Sequence, residues 1–249
     1  MARSKKPLAL AIAAAVLLAA AAAIVIGLHS MQDTAEPSPA GDSVVAESVM
    51  EATGAKTVDS EGFPIVDWDY WKSVNPDVIG WVTVPGTKVN QPVVQAHADN
   101  PQYYLHHDVY RRANVYGVPY LDESCAATGL LHSPNAVVFG HHMSDGTVFA
   151  GLSPFSSDQS YARQHSQILI QTPAEKKVLE CRFARIVDGT AASKRTDFLD
   201  ATDHASWYSS ELTASSTVLD ANSRPSEVVC LVTCSYNVFD NERTLVYAS

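Results

Sequence analysis

Beyond residue 62 the chain alternates short apolar runs with turn residues, and the runs are too short and too rich in β-branched residues for a helical protein. The runs at residues 78–84 and 89–94 are separated by Pro85-Gly86-Thr87, three residues that favour a turn. Further strands are expected at 118–121, 136–141, 168–170, 177–187, 228–234 and 244–248. Helical spacing is rarer. Ile65, Trp68, Trp71 and Val74 recur every three residues, Pro64 suits a first turn and Asn75-Pro76 supplies a stop, so the pattern predicts a helix over 64–74. Two more helical pieces are expected at 147–152 and 197–212. Many short strands with few helices point to a mainly β fold, a barrel or a sandwich-like sheet.

The start of the chain reads differently. An uninterrupted apolar run from Leu8 to Leu28 follows Arg3, Lys5 and Lys6. As a helix it measures about 30 Å, enough to cross a bilayer with its basic flank in the cytoplasm. The competing reading is a cleaved signal peptide, because Ala19 to Ala23 offers small-residue sites, but cleavage there would leave Ile24-Val25-Ile26 as an apolar stub. Either way the bulk of the chain is expected outside the cytoplasm. Residues 32–62 are rich in Ser, Thr, Ala, Pro, Gly and acid with no lasting apolar period, which reads as a tether. The expected organisation is therefore 1–31 basic end and membrane anchor, 32–62 linker, and 63–249 folded domain.

Charge narrows the partners. With 27 acidic against 17 basic residues the chain carries a net charge of −10, and three of the basic residues precede the apolar run. Phosphate binding needs clustered positive charge, so nucleic acid is not an expected partner.

The candidate chemistry lies at two strand ends. One apolar run delivers Cys230-Leu231-Val232-Thr233-Cys234, and the next begins beside Arg243. Another, Ala136-Val137-Val138-Phe139, ends in Gly140-His141-His142-Met143. A thiol, an imidazole and a guanidinium suffice for acyl transfer. The thiolate attacks, an imidazolium donates a proton to the departing amine, and a guanidinium that keeps its proton stabilises the oxyanion.

Several of these motifs, in this order, resemble the sortase family. Val232-Thr233-Cys234 with Arg243 is similar to its Thr-x-Cys…Arg pattern, and Phe139-Gly140-His141 to its Tyr-Gly-His strand end. Asn75-Pro76-Asp77-Val78-Ile79-Gly80-Trp81-Val82, Gln91-Pro92-Val93-Val94-Gln95 and the segment from Asp99 to Leu105 resemble the class B branch, and the likeness runs from about Ile65 to Ser249. The resemblance implies a closed eight-stranded β-barrel with a few short helices. It implies a membrane-anchored, single-pass cysteine transpeptidase at a Gram-positive type cell surface, with His141, Cys234 and Arg243 as catalytic residues and no cofactor. Its partners would be secreted surface proteins or pilins carrying a C-terminal sorting signal, and an amine acceptor on a cell-wall precursor or a pilin lysine. A helix in the connection before the cysteine strand would help wall the substrate groove; read from its own residues, it could equally just cover the barrel.

Alternation along a strand turns neighbouring residues to opposite faces, so only one of His141 and His142 is expected to aim at Cys234, and the family pattern selects His141. His106, His107 and His132 have no carboxylate or cysteine at helical or hairpin spacing, so no metal site is expected. If Cys234 stays free, at most one disulfide can form among Cys125, Cys181 and Cys230, and buried free thiols are the expectation. Many class B enzymes carry an acid directly after the cysteine, where this chain has Ser235. Two other readings use the same residues. An L,D-transpeptidase acting on peptidoglycan would be expected to carry serine and glycine just before the thiol, where this chain has Leu231-Val232-Thr233. A non-catalytic surface binding module would carry an inert thiol.

Overall fold

The computed structural model describes residues 57–189, 194–236 and 241–249. Nine strands appear among them: β1 (Val78–Thr83), β2 (Asn90–Gln95), β3 (Tyr120–Leu121), β4 (Ala136–Phe139), β5 (Gln167–Gln171), β6 (Lys176–Asp188), β7 (Thr217–Val218), β8 (Val229–Ser235) and β9 (Glu242–Ala248). Their order is β5-β1-β2-β3-β4-β8-β9-β6-β7, and a further β5–β6 pairing closes the first eight into a ring. β7 is an appendage hydrogen-bonded to β6. The pairs β2–β3 and β4–β8 are parallel and the rest antiparallel. The expected closed eight-stranded barrel is thus what the chain forms.

The core sits on both sides of β8. Its inward residues Val229 and Leu231 pack with Ala136, Val138, Val246, Ile168, Ile170, Phe149 and Phe155 inside the barrel. Its outward residues Cys230 and Val232 pack with Val137, Phe183 and Tyr247 in a second cluster. A strand buried on both faces reads as a continuous apolar run, which is why residues 228–234 show no polar alternation. Burial of each large side chain contributes about 1.5–3 kcal/mol. A third cluster joins Trp71 of the first helix to Trp81, Val94, Tyr104 and Tyr120.

Among the described residues three α-helices accompany the barrel: α1 (Trp68–Val74), α2 (Gln159–Gln164) and α3 (Ala201–Thr213). Each begins where an aspartate accepts from free N–H groups of the first turn, Asp67, Asp158 and Asp200 respectively. α1 starts later than its apolar spacing predicts, because Pro64 is held in a bridge to Val58 and Ile65 is exposed. The piece expected at 147–152 is a 3-10 helix, Ala150–Ser156. α3 lays Tyr208, Trp207 and Leu212 over the outward cluster of β8 and β9. It covers the sheet, as one of the two readings of this segment required.

The expected membrane segment and most of the tether lie outside the described residues. Among the described residues, no helix is long and apolar enough to cross a membrane.

Candidate active site

The register of two strand pairs builds the site. In the parallel pair Phe139 lies beside Val232, and the Gly140 N–H donates to the Val232 carbonyl at 3.0 Å. In the antiparallel pair Cys234 lies directly opposite Arg243. Opposed residues share a face with Cβ atoms about 4.5–5.5 Å apart, so thiol and guanidinium side chains leave the sheet together. That face is the outward one, continuous with Cys230, Val232 and Tyr247. The inward neighbours Thr233, Ser235, Glu242 and Thr244 are fully buried. The last pair of the parallel ladder is Phe139 beside Val232; His141 follows two residues later, past the end of β4, and Cys234 two residues later, still within β8.

Gly140 is required where it stands. A Cβ there would come within 2.5 Å of the Phe149 ring, and Phe149 in turn donates its N–H to the His141 carbonyl at 2.8 Å. The His141 ring is anchored by its Nε2–H, which donates to the Leu105 carbonyl at 2.8 Å. A carbonyl only accepts, so Nε2 carries a proton and the neutral ring keeps its lone pair on Nδ1. His142 uses its other nitrogen, and its Nδ1–H donates to the main-chain carbonyl of Cys234 at 2.9 Å. The alternation argument therefore does not separate the two histidines. β4 ends at Phe139, the pair follows it, and the two rings bond through different atoms, His141 to the Leu105 carbonyl and His142 to the Cys234 carbonyl.

Arg243 sends Nη1 to the Glu242 carbonyl at 3.0 Å. A Cβ on Gly189 would lie 3.0 Å from its Cζ, so the bare glycine lets the guanidinium rest against the end of β6. All four cysteines are free thiols, and Cys234 alone among them is partly exposed. Burial raises the thiol of Cys125, pushes that of Cys181 up to about 12 and carries that of Cys230 well above the ordinary range.

His107 and His132 are engaged elsewhere. His107 donates from Nδ1 to the Tyr103 carbonyl and stacks on the Tyr103 ring at 3.9 Å. His132 pairs with Glu175 at 2.5 Å and Glu227 at 3.5 Å. Among the described residues, no group of three His, Cys, Asp or Glu side chains is arranged to hold a metal ion. Sequence reasoning missed Leu105, which acts through a backbone carbonyl and leaves no residue-type signal. It also passed over Gly189, whose value is the absence of a side chain.

Residues 82–249 match the Sortase domain. The chain belongs to the sortase family. It is 29% identical over 133 residues to sortase B of Staphylococcus aureus, a stretch covering 53% of this chain and about half, 52%, of that protein. In three dimensions this sortase resembles a Bacillus anthracis protein similar to sortase B, with a TM-score of 0.67 at 22% identity over 82% of this chain and 92% of the other. It likewise resembles a Staphylococcus aureus sortase B–substrate complex, with a TM-score of 0.63 at 22% identity over 81% of this chain and 89% of that one. At that identity the likeness establishes the fold of this sortase.

Proposed function

We propose that this sortase is a class B-like cysteine transpeptidase that uses Cys234, His141 and Arg243. The observation that carries the reading is the strand register, in which the partly exposed Cys234 lies opposite Arg243 on β9 while the neighbouring strand β4 ends just before His141. The Cys234 thiolate adds to the carbonyl of the scissile peptide bond, and Arg243 donates to the substrate and to the oxyanion that forms. Collapse breaks the C–N bond while His141 passes a proton to the leaving amine. An acceptor amine then attacks the thioester, returns a proton to His141 and releases the thiolate with a new amide formed. Because Nε2 is committed to Leu105, the proton exchanged is the one on Nδ1.

The substrate is a C-terminal sorting signal of a secreted surface protein or pilin, and the acceptor a cell-wall peptide amine or a pilin lysine. The Staphylococcus aureus neighbour has been solved with a substrate, and a sortase B with triglycine, a peptide that offers an amine. The apolar run from Leu8 to Leu28 anchors the enzyme in the membrane, with 32–62 as tether and 63–249 as catalytic domain outside.

The test is to incubate the full chain in detergent with a panel of labelled sorting peptides and follow the protein by intact mass. An acyl adduct on the wild type, absent from Cys234→Ala, is expected. A Cys234→Ala chain that still turns over peptide would sink the assignment, and no adduct with any peptide would favour an inert binding module.

A further inference from the structure

We propose that His142 is a positioning residue whose ring replaces a missing rung of the sheet and so fixes the backbone of the nucleophile. The parallel ladder between β4 and β8 runs as far as the bond from the Gly140 N–H to the Val232 carbonyl. Two residues further along each chain, the next rung would join the His142 N–H to the Cys234 carbonyl. The main chain of His142 has by then turned away to bridge Val148. Its imidazole makes the bond instead, from Nδ1–H to the same carbonyl at 2.9 Å. The carbonyl that would otherwise be left at the ladder's end is satisfied, and the residue it belongs to carries the thiol.

The platform behind His142 is held from several sides. Lys88 donates to the Asp145 carbonyl at 2.8 Å, and Tyr116 donates to the Asp145 carboxylate at 3.1 Å. The Thr147 N–H and hydroxyl both donate to Asp145 Oδ1, at 2.9 and 2.6 Å. Val148, buried and β-branched, sits at φ 54°. Such a conformation persists only where the surroundings over-determine it, and strain of this kind gathers where geometry has to be held. Lys88, Asp145 and the Val148 bridge thus hold the loop that carries both histidines, and His142 transmits that rigidity across to β8.

This inference rests on the proposed catalytic role of Cys234, but it has a readout of its own. A histidine Nδ1 and an asparagine Nδ2 stand the same number of bonds from Cα, so asparagine can offer a donor at the same reach, whereas alanine offers none and glutamine places its donor one carbon too far. We expect His142→Ala and His142→Gln to lower kcat about 10-fold with little change in KM, the scale of one lost hydrogen bond compounded by a misplaced nucleophile, and His142→Asn to recover most of it. Hydrogen exchange in full-length protein should quicken over residues 230–236 in the alanine and glutamine variants and return toward wild type with asparagine. Unchanged exchange and rates in His142→Ala would overturn the proposal, and so would an asparagine variant as impaired as alanine. If exchange follows the donor while Cys234→Ala remains active on peptide, the catalytic reading falls and the structural link stands.

Discussion

Two cysteines on one face of one strand have opposite fates. Cys230 and Cys234 both point outward from β8, four positions apart, and both have a partner directly across on β9. Over Cys230 lie Tyr247, Tyr208 and Phe183, with α3 above them, and burial drives its thiol far above the ordinary range. Cys234 is partly exposed, and its partner across the ladder is Arg243 rather than tyrosine. The covered half of this sheet face is core and the uncovered half carries the proposed site. What packs above a strand, more than the residue type it presents, decides whether a thiol is structural or available for chemistry.

The largest test of this division is at His141. If His141 is the proton carrier, replacing it by alanine should cost ~10²- to 10⁴-fold in turnover, while His142→Ala, whose ring bonds a backbone carbonyl, should cost far less. Comparable rates for the two variants, measured as kcat on a sorting peptide, would reverse their roles. Next in size is Arg243. If its fork of donors holds the oxyanion, Arg243→Lys should fall nearly as far as Arg243→Ala, roughly 10²- to 10³-fold in kcat/KM. Near wild-type turnover by the lysine variant would reduce the role to charge alone.

A smaller effect sharpens the covered half. Tyr208 is buried and meets Phe183 edge to face with ring centroids 5.1 Å apart, so Tyr208→Ala should destabilise the fold by on the order of 3–5 kcal/mol in denaturant titration. The same change should let iodoacetamide reach Cys230, giving two labelled thiols by mass where the native chain gives one. Labelling confined to Cys234 in that variant would show that helix cover is not what protects Cys230.

The strands were legible because each apolar run had to fill a barrel wall, and every ring strand falls on a run read from the sequence. β7 escaped because two residues, Thr217 and Val218, carry no period, and α2 because its six residues hold a single fully buried position, Ala162. The first helix was read too long since threefold spacing cannot tell a helical Ile65 from one exposed beside a bridged proline. At the candidate site, Cys234, Arg243 and His141 could be singled out from the sequence because a thiol, a guanidinium and an imidazole at strand ends are side-chain features. The parallel partnership of β4 and β8, the strands that lead to His141 and Cys234, joins residues about ninety apart and leaves no local mark. The part of His142 was hidden for a related reason: alternation governs strands, and the strand had already ended.

The closed ring has a consequence for recognition. Many proteins capture an extended peptide by letting it join a sheet as one more strand, an attraction that is nearly blind to sequence because main-chain groups supply it. The β5–β6 pairing removes that option at the eight ring strands, since a closed ring has no border at which a visitor could be added, and among the described strands the two-residue appendage β7 alone ends the order. A peptide reaching Cys234 must be held by side chains and rim loops around the strand ends. Selectivity is thereby separated from architecture: the rim can be rewritten to suit a different signal while the wall beneath it stays the same.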